Sequence, residues 1–148
     1  MSAHHGHCLC GAVQFTATQL GSFGVCHCRM CQRWSGSAHF GVTVDPAHMQ
    51  ITAGKDQISR YRSSPVASRY FCSNCGSGLW SRYDHGSDEP GDYELNVGLL
   101  DDPNGLTLRR EIFYDRKPDS YALAGDHERL SEADTALLFG ISTEGVSP

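Results

Sequence analysis

Apolar and polar residues alternate in short runs along most of this chain, the period-two pattern of strands buried on one face. Residues 12–17 show it, and so do 38–44, 49–53, 58–62, 69–72, 79–83 and 93–98. Turn-forming clusters separate the runs: Gln19-Leu20-Gly21-Ser22, Asp45-Pro46, Ala53-Gly54-Lys55-Asp56, residues 86–91, and Asp101-Asp102-Pro103-Asn104-Gly105. Residues 28–34 fit a single helical turn stopped by Gly36. A longer helix is expected only near the C-terminus, where Ser131 to Asp134 come close to a capping box and Leu137, Leu138 and Phe139 follow. The pattern predicts a mainly β fold of short antiparallel strands with a short C-terminal helix. At 148 residues the chain, 1–148, is expected to be a single domain.

Composition narrows the function classes. Hydrophobic residues at 39% and charged residues at 20% allow a modest core and argue against a disordered chain. Twelve basic against seventeen acidic residues give a net charge of −5, which disfavours a nucleic-acid partner held by phosphate neutralisation. Arg60, Arg62, Arg69 and Arg82, interleaved with Tyr61, Tyr70 and Tyr83, read more simply as a solvated strand face. No apolar stretch reaches the roughly 18 residues of a membrane span. Residues 1–7, with His4, His5 and His7, read as a solvated tail without a secretory signal, so a reducing, cytoplasmic location is expected.

The seven cysteines carry the chemistry. They stand as Cys8-Leu9-Cys10, Cys26-His27-Cys28-Arg29-Met30-Cys31 and Cys72-Ser73-Asn74-Cys75, and such clustering favours metal binding over disulfides. In an extended segment residues i and i+2 share a face, so Cys8 and Cys10 are expected to present both sulfurs together with Leu9 turned to the core. The same reasoning points His27 away from Cys26 and Cys28. Cys72 and Cys75 form a knuckle that Gly76 helps to reverse. Counting then divides the ligands. Cys8, Cys10, Cys72 and Cys75 complete a closed tetrathiolate, whereas Cys26, Cys28 and Cys31 leave one position open, as a catalytic zinc requires. A fourth protein ligand, His39 or His27, would instead make the second site structural. A redox dithiol at Cys72 and Cys75 fits poorly, because Gly76-Ser77-Gly78 follows where a helix would be needed.

Further matches extend these motifs. Residues 6–13 and 26–33 with Ser35-Gly36-Ser37, then Gly54, Tyr61-Arg62-Ser63-Ser64, residues 70–77 and residues 98–103 together resemble the glutathione-dependent formaldehyde-activating enzyme family, which includes the centromere protein V domain. The resemblance covers about residues 6–118. It implies a β-tent fold with two zinc ions: a structural one on Cys8, Cys10, Cys72 and Cys75, and a catalytic one on Cys26, Cys28 and Cys31. It also implies a carbon–sulfur lyase that adds the glutathione thiol to formaldehyde, giving S-hydroxymethylglutathione. Glutathione and a small aldehyde are the expected partners.

Arg33 is the cation nearest the triplet in sequence and a candidate for a glutathione carboxylate. Ser63, Ser64 and Asp101 occupy motif positions without an assigned role. The chain departs from the family after Lys117-Pro118, where Ser120 and Tyr121 stand in place of a common tryptophan. Two alternatives to the enzyme remain open from the residues: a glutathione carrier, and an interaction module in which both zincs are structural.

Overall fold

Short alternating strands bury one face each and leave the other to solvent, so a chain built of them folds by pairing neighbours into antiparallel ladders. The computed structural model describes residues 2–85 and 90–141, and these form two compact units, one of residues 2–21 and 41–106 and one of 22–40 and 107–141.

The first unit holds two antiparallel ladders. One joins β1 (His4–His7), β2 (Gln14–Ala17) and β5 (Met49–Ala53), with β2 central. The other runs in the order β4 (His39–Val44, paired from Gly41), β9 (Tyr93–Asn96), β8 (Gly78–Tyr83), β7 (Ala67–Cys72) and β6 (Ile58–Arg62). Phe15, Val42, Leu79, Trp80 and Leu95 are its buried core. Trp80 meets the rings of Phe15 and Tyr93 edge-on at 6.2 and 5.2 Å. Residues 4–7 are therefore a strand rather than a solvated tail. Gly6 makes this possible, because a Cβ there would stand 2.4 Å from the Phe15 ring and 2.6 Å from the Leu99 carbonyl.

The second unit is built differently. β10 (Thr107–Ile112) pairs in parallel with both β3 (Ser22–Cys26) and β11 (Glu128–Arg129), so the expected antiparallel pairing gives way here to a parallel ladder. Helix α1 (Arg29–Ser35) follows β3 and ends at Gly36, which is left-handed at φ 81°. Helix α2 (Glu132–Phe139) starts where Ser131 Oγ accepts from the Asp134 amide at 3.1 Å. Residues 86–89 of the turn expected at 86–91 lie outside the described residues.

Of the Arg and Tyr residues weighed as a nucleic-acid face, Arg60 and Tyr61 are exposed, as expected of a solvated strand face, whereas three of the arginines are engaged within the first unit. Arg62 pairs with the buried Asp84 at 3.0 Å, Arg69 is buried, and the Arg82 guanidinium lies 3.8 Å from the centre of the Tyr93 ring. Among the described residues no helix is long and apolar enough to cross a membrane.

Candidate metal centres

The four-cysteine group is assembled in the first unit by two tight turns. At Cys72, the Gly76 amide donates back to the Cys72 carbonyl at 2.8 Å and the Cys72 amide to the Ser77 carbonyl at 3.0 Å; Gly76 takes φ 78°. At Cys8 the chain does the same thing. The Gly11 amide donates to the Cys8 carbonyl at 3.0 Å, and Gly11 takes φ 80°. Cys8 and Cys10 thus converge through a turn, not through an extended segment. Leu9 is 86% exposed at its tip and does not face the core.

All four sulfurs lie within 4.8 Å of one another. Two separations are 3.6 Å, Cys8 to Cys10, and 3.9 Å, Cys10 to Cys72. A tetrahedron with metal–sulfur arms of about 2.3 Å has edges of about 3.8 Å, so the donor set fits a zinc-sized soft cation. Polar groups surround the sulfurs, and those at Cys10 and Cys75 favour thiolate. Asn74 Nδ2 donates to Cys10 Sγ at 3.2 Å and the Val13 amide to Cys8 Sγ at 3.3 Å. Ser77 Oγ sits 3.2 Å from Cys75 Sγ while accepting from the Leu9 amide at 2.9 Å. Hydrogen bonds from the Ser77 hydroxyl and then its backbone lower the Cys75 thiol to about 5, and the Asn74 amide lowers Cys10.

The three-cysteine group lies wholly in the second unit. Cys26 ends β3, opposite Ile112 of β10, and Cys28 caps α1 by accepting from the Cys31 amide at 3.3 Å. The three sulfurs also lie within 4.8 Å of one another. Phe113, Ile112 and Met30 pack on them, and Phe113 holds its place with a left-handed backbone at φ 52°. Contacts with Cys28 and Cys31, followed by burial, hold the Cys26 thiol well above its ordinary value. Three crowded sulfurs resist charging together unless a cation sits among them. Among the described residues, no histidine or carboxylate joins this group. His27 turns its ring away from the sulfurs, as expected, and is fully buried against Glu111. His39 is buried beside Trp34, with ring centres 5.8 Å apart.

The other expected residues are placed as follows. Arg33 is exposed on the last turn of α1. Ser64 Oγ accepts from the Val66 and Ala67 amides at 3.2 and 3.1 Å, and Ser63 bonds the Ala67 carbonyl, so both shape a turn. Asp101 faces His7 at 3.5 Å, and its amide donates to the His5 carbonyl. Tyr121 brings its hydroxyl to 3.5 Å from His27 Nδ1.

One constellation has no signature in the sequence. The carboxylate of Glu111, fully buried, meets His27 Nε2 at 2.7 Å, His127 Nε2 at 2.5 Å and Arg129 Nε at 3.4 Å. Burial alone would raise the Glu111 carboxyl, but the hydrogen bonds of His127 and His27 outweigh it and hold the group below its ordinary value. Residues 109–111 read as three consecutive charges, which hides the strand that carries Glu111.

Two clusters of this geometry, one of four sulfurs and one of three, mark a small β protein whose cysteines could hold metal ions. The chain belongs to the glutathione-dependent formaldehyde-activating enzyme family, whose model matches residues 3–116. It is 31% identical over 127 residues to an uncharacterized lyase of Schizosaccharomyces pombe, covering 84% of this chain and 88% of that protein. A Halomonas elongata protein provisionally named as a glutathione-dependent formaldehyde-activating enzyme is 31% identical over 83 residues, 51% of this chain and 53% of that one. A crystal structure of a Rhodobacter sphaeroides protein superposes with a TM-score of 0.55 at 25% identity, covering 66% of this chain and 87% of the other.

Proposed function

We propose that this protein is a zinc-dependent carbon–sulfur lyase that joins glutathione to formaldehyde, giving S-hydroxymethylglutathione. In that reaction the thiol sulfur bonds the carbonyl carbon, the C=O π pair moves to oxygen, and the thiol proton ends on that oxygen. The observation that carries the reading is the three-sulfur group of Cys26, Cys28 and Cys31, which no fourth side-chain ligand joins among the described residues. Zinc held by these three residues would supply a Lewis acid that lowers the pKa of a bound thiol toward neutral.

The residues divide the work. Cys8, Cys10, Cys72 and Cys75 hold a structural ion. Cys26, Cys28 and Cys31 hold the catalytic one, and their three negative charges favour capture of a thiol over polarisation of a carbonyl. Phe113 packs against that group. Arg33, exposed two residues beyond Cys31, offers its guanidinium to a glutathione carboxylate. None of the seven cysteines is in a disulfide, which suits a reducing compartment such as the cytoplasm.

Exchange spectroscopy with 13C-formaldehyde and glutathione tests the reading. The protein is expected to speed exchange between free and S-hydroxymethyl carbon, and Cys31→Ser to lose that effect while staying folded. Exchange at the uncatalysed rate with the zinc-replete protein would refute it.

A further inference from the structure

His27 lies between two members of the three-cysteine group, yet its ring belongs to a different environment. On β3 and β10 the side chains alternate. Cys26 and Ile112, paired in register, face the sulfur cluster, while Glu111 and His27 project to the other side. There the Glu111 carboxylate receives His27 Nε2 at 2.7 Å and His127 Nε2 at 2.5 Å, with all three side chains at most 3% exposed. Arg129, paired in register with Glu111 on β11, adds a contact at 3.4 Å. The His27 amide donates to the Ile112 carbonyl at 3.1 Å, and Gln32 Nε2 donates to the His27 carbonyl at 2.7 Å, so ring and backbone are both tied down.

We infer that Glu111 is a positioning residue for the three-cysteine site, acting through His27. The inference rests on reading Cys26, Cys28 and Cys31 as a metal site. An ionised carboxylate only accepts hydrogen bonds, so both imidazoles must present a proton at Nε2. That fixes the His27 tautomer and leaves Nδ1 as the acceptor facing the Tyr121 hydroxyl. A ring held at both nitrogens prevents rotation of the single residue linking Cys26 to Cys28, and so holds their sulfurs at a metal-ready spacing. Ordering the ligands before the ion arrives removes a conformational cost from binding. The Glu111→Gln side chain has nearly the same shape but one acceptor in place of two. It can satisfy one imidazole in its present tautomer, and the other must flip or lose its partner.

Cobalt titration tests this, because Co2+ in a thiolate site shows visible d–d and sulfur-to-cobalt bands. The wild-type protein is expected to bind two equivalents, one per cysteine group. In Glu111→Gln, chelator competition should show the three-cysteine equivalent weakened about tenfold or more, the size typical of an outer-shell change. The four-cysteine equivalent should be unchanged and serves as an internal control on folding. The 15N resonances of the His27 ring should shift to a different tautomer mixture in the same variant, a change that simple loss of stability would not produce. Unchanged cobalt affinity at the three-cysteine group, or equal weakening of both groups, would overturn the inference. A wild-type protein binding only one equivalent would instead refute the metal-site reading itself. Should Glu111→Gln fail to fold, Glu111→Asp keeps the charge and shortens the reach by one methylene, and the same selective loss is expected.

Discussion

Replacing two cysteines at a time separates the four-cysteine from the three-cysteine group by loop length. Cys10 and Cys72 lie 62 residues apart with sulfurs 3.9 Å from each other. Cross-linking a loop of that length removes about 4 kcal/mol of chain entropy from the unfolded state at 25 °C. Cys72→Ser combined with Cys75→Ser leaves no ligand on the second segment and opens that loop. Cys28→Ser with Cys31→Ser opens only the loop from Cys26 to Cys31, about 2 kcal/mol by the same relation. Serine at position 28 also remains a good helix cap, so α1 keeps its start. For a chain of this size about 3 °C accompanies each kcal/mol. The first pair should therefore lower the zinc-replete melting temperature by about 12 °C and the second by about 6 °C. Calorimetry with matched zinc contents reads both values. Equal losses, or a larger loss for the Cys28/Cys31 pair, would refute the loop-closure reasoning and make the second group a structural staple.

Other expectations follow from single positions. Gly54 has φ 76°, and a Cβ there would stand 2.0 Å from the Ala12 carbonyl oxygen, so Gly54→Ala should cost about 3 kcal/mol or more in urea unfolding and loosen zinc at nearby Cys10. Burial raises the Glu94 carboxyl to about 7 despite the Thr43 hydroxyl, so the folded state binds the proton more tightly than the unfolded one. Stability from this group is full below about 4.5 and is lost as pH rises to about 7; Glu94→Gln should therefore gain on the order of 1 kcal/mol over wild type at pH 8 and nothing at pH 4.5. Arg33→Glu should weaken glutathione binding by about tenfold in calorimetric titration while leaving zinc content unchanged, and an unchanged affinity would remove Arg33 from the site.

Much of the first unit was legible because its strands alternate cleanly. Residues 49–53 and 58–62 form β5 and β6 with the expected bounds, and the runs at 79–83 and 93–98 fall on β8 and β9 within a residue or two. β1, β3 and β10 were not read, since their side chains are histidines, glycines, a cysteine and consecutive charges in place of apolar alternation. The parallel pairing of β10 with β3 joins residues some 85 apart, which no local pattern encodes. The grouping of the cysteines followed from spacing, because turns and short strands bring near neighbours together. Leu9 shows the boundary of that argument: the same i, i+2 spacing is served by an extended strand or by a turn, and here Gly11 selects the turn. Glu111 could not be found from spacing at all, since its partners His27 and His127 stand 84 and 16 residues away.

X-ray absorption at the zinc edge tests the open three-cysteine site most directly. Seven cysteine sulfurs shared between two ions give an average of 3.5 sulfurs per zinc before glutathione is added. Capture of the glutathione thiol at the open position should raise that average to about 4, with metal–sulfur distances near 2.3 Å. An average that stays at its starting value in saturating glutathione would contradict the account, and the three-cysteine group would then not be the place where the thiol is held.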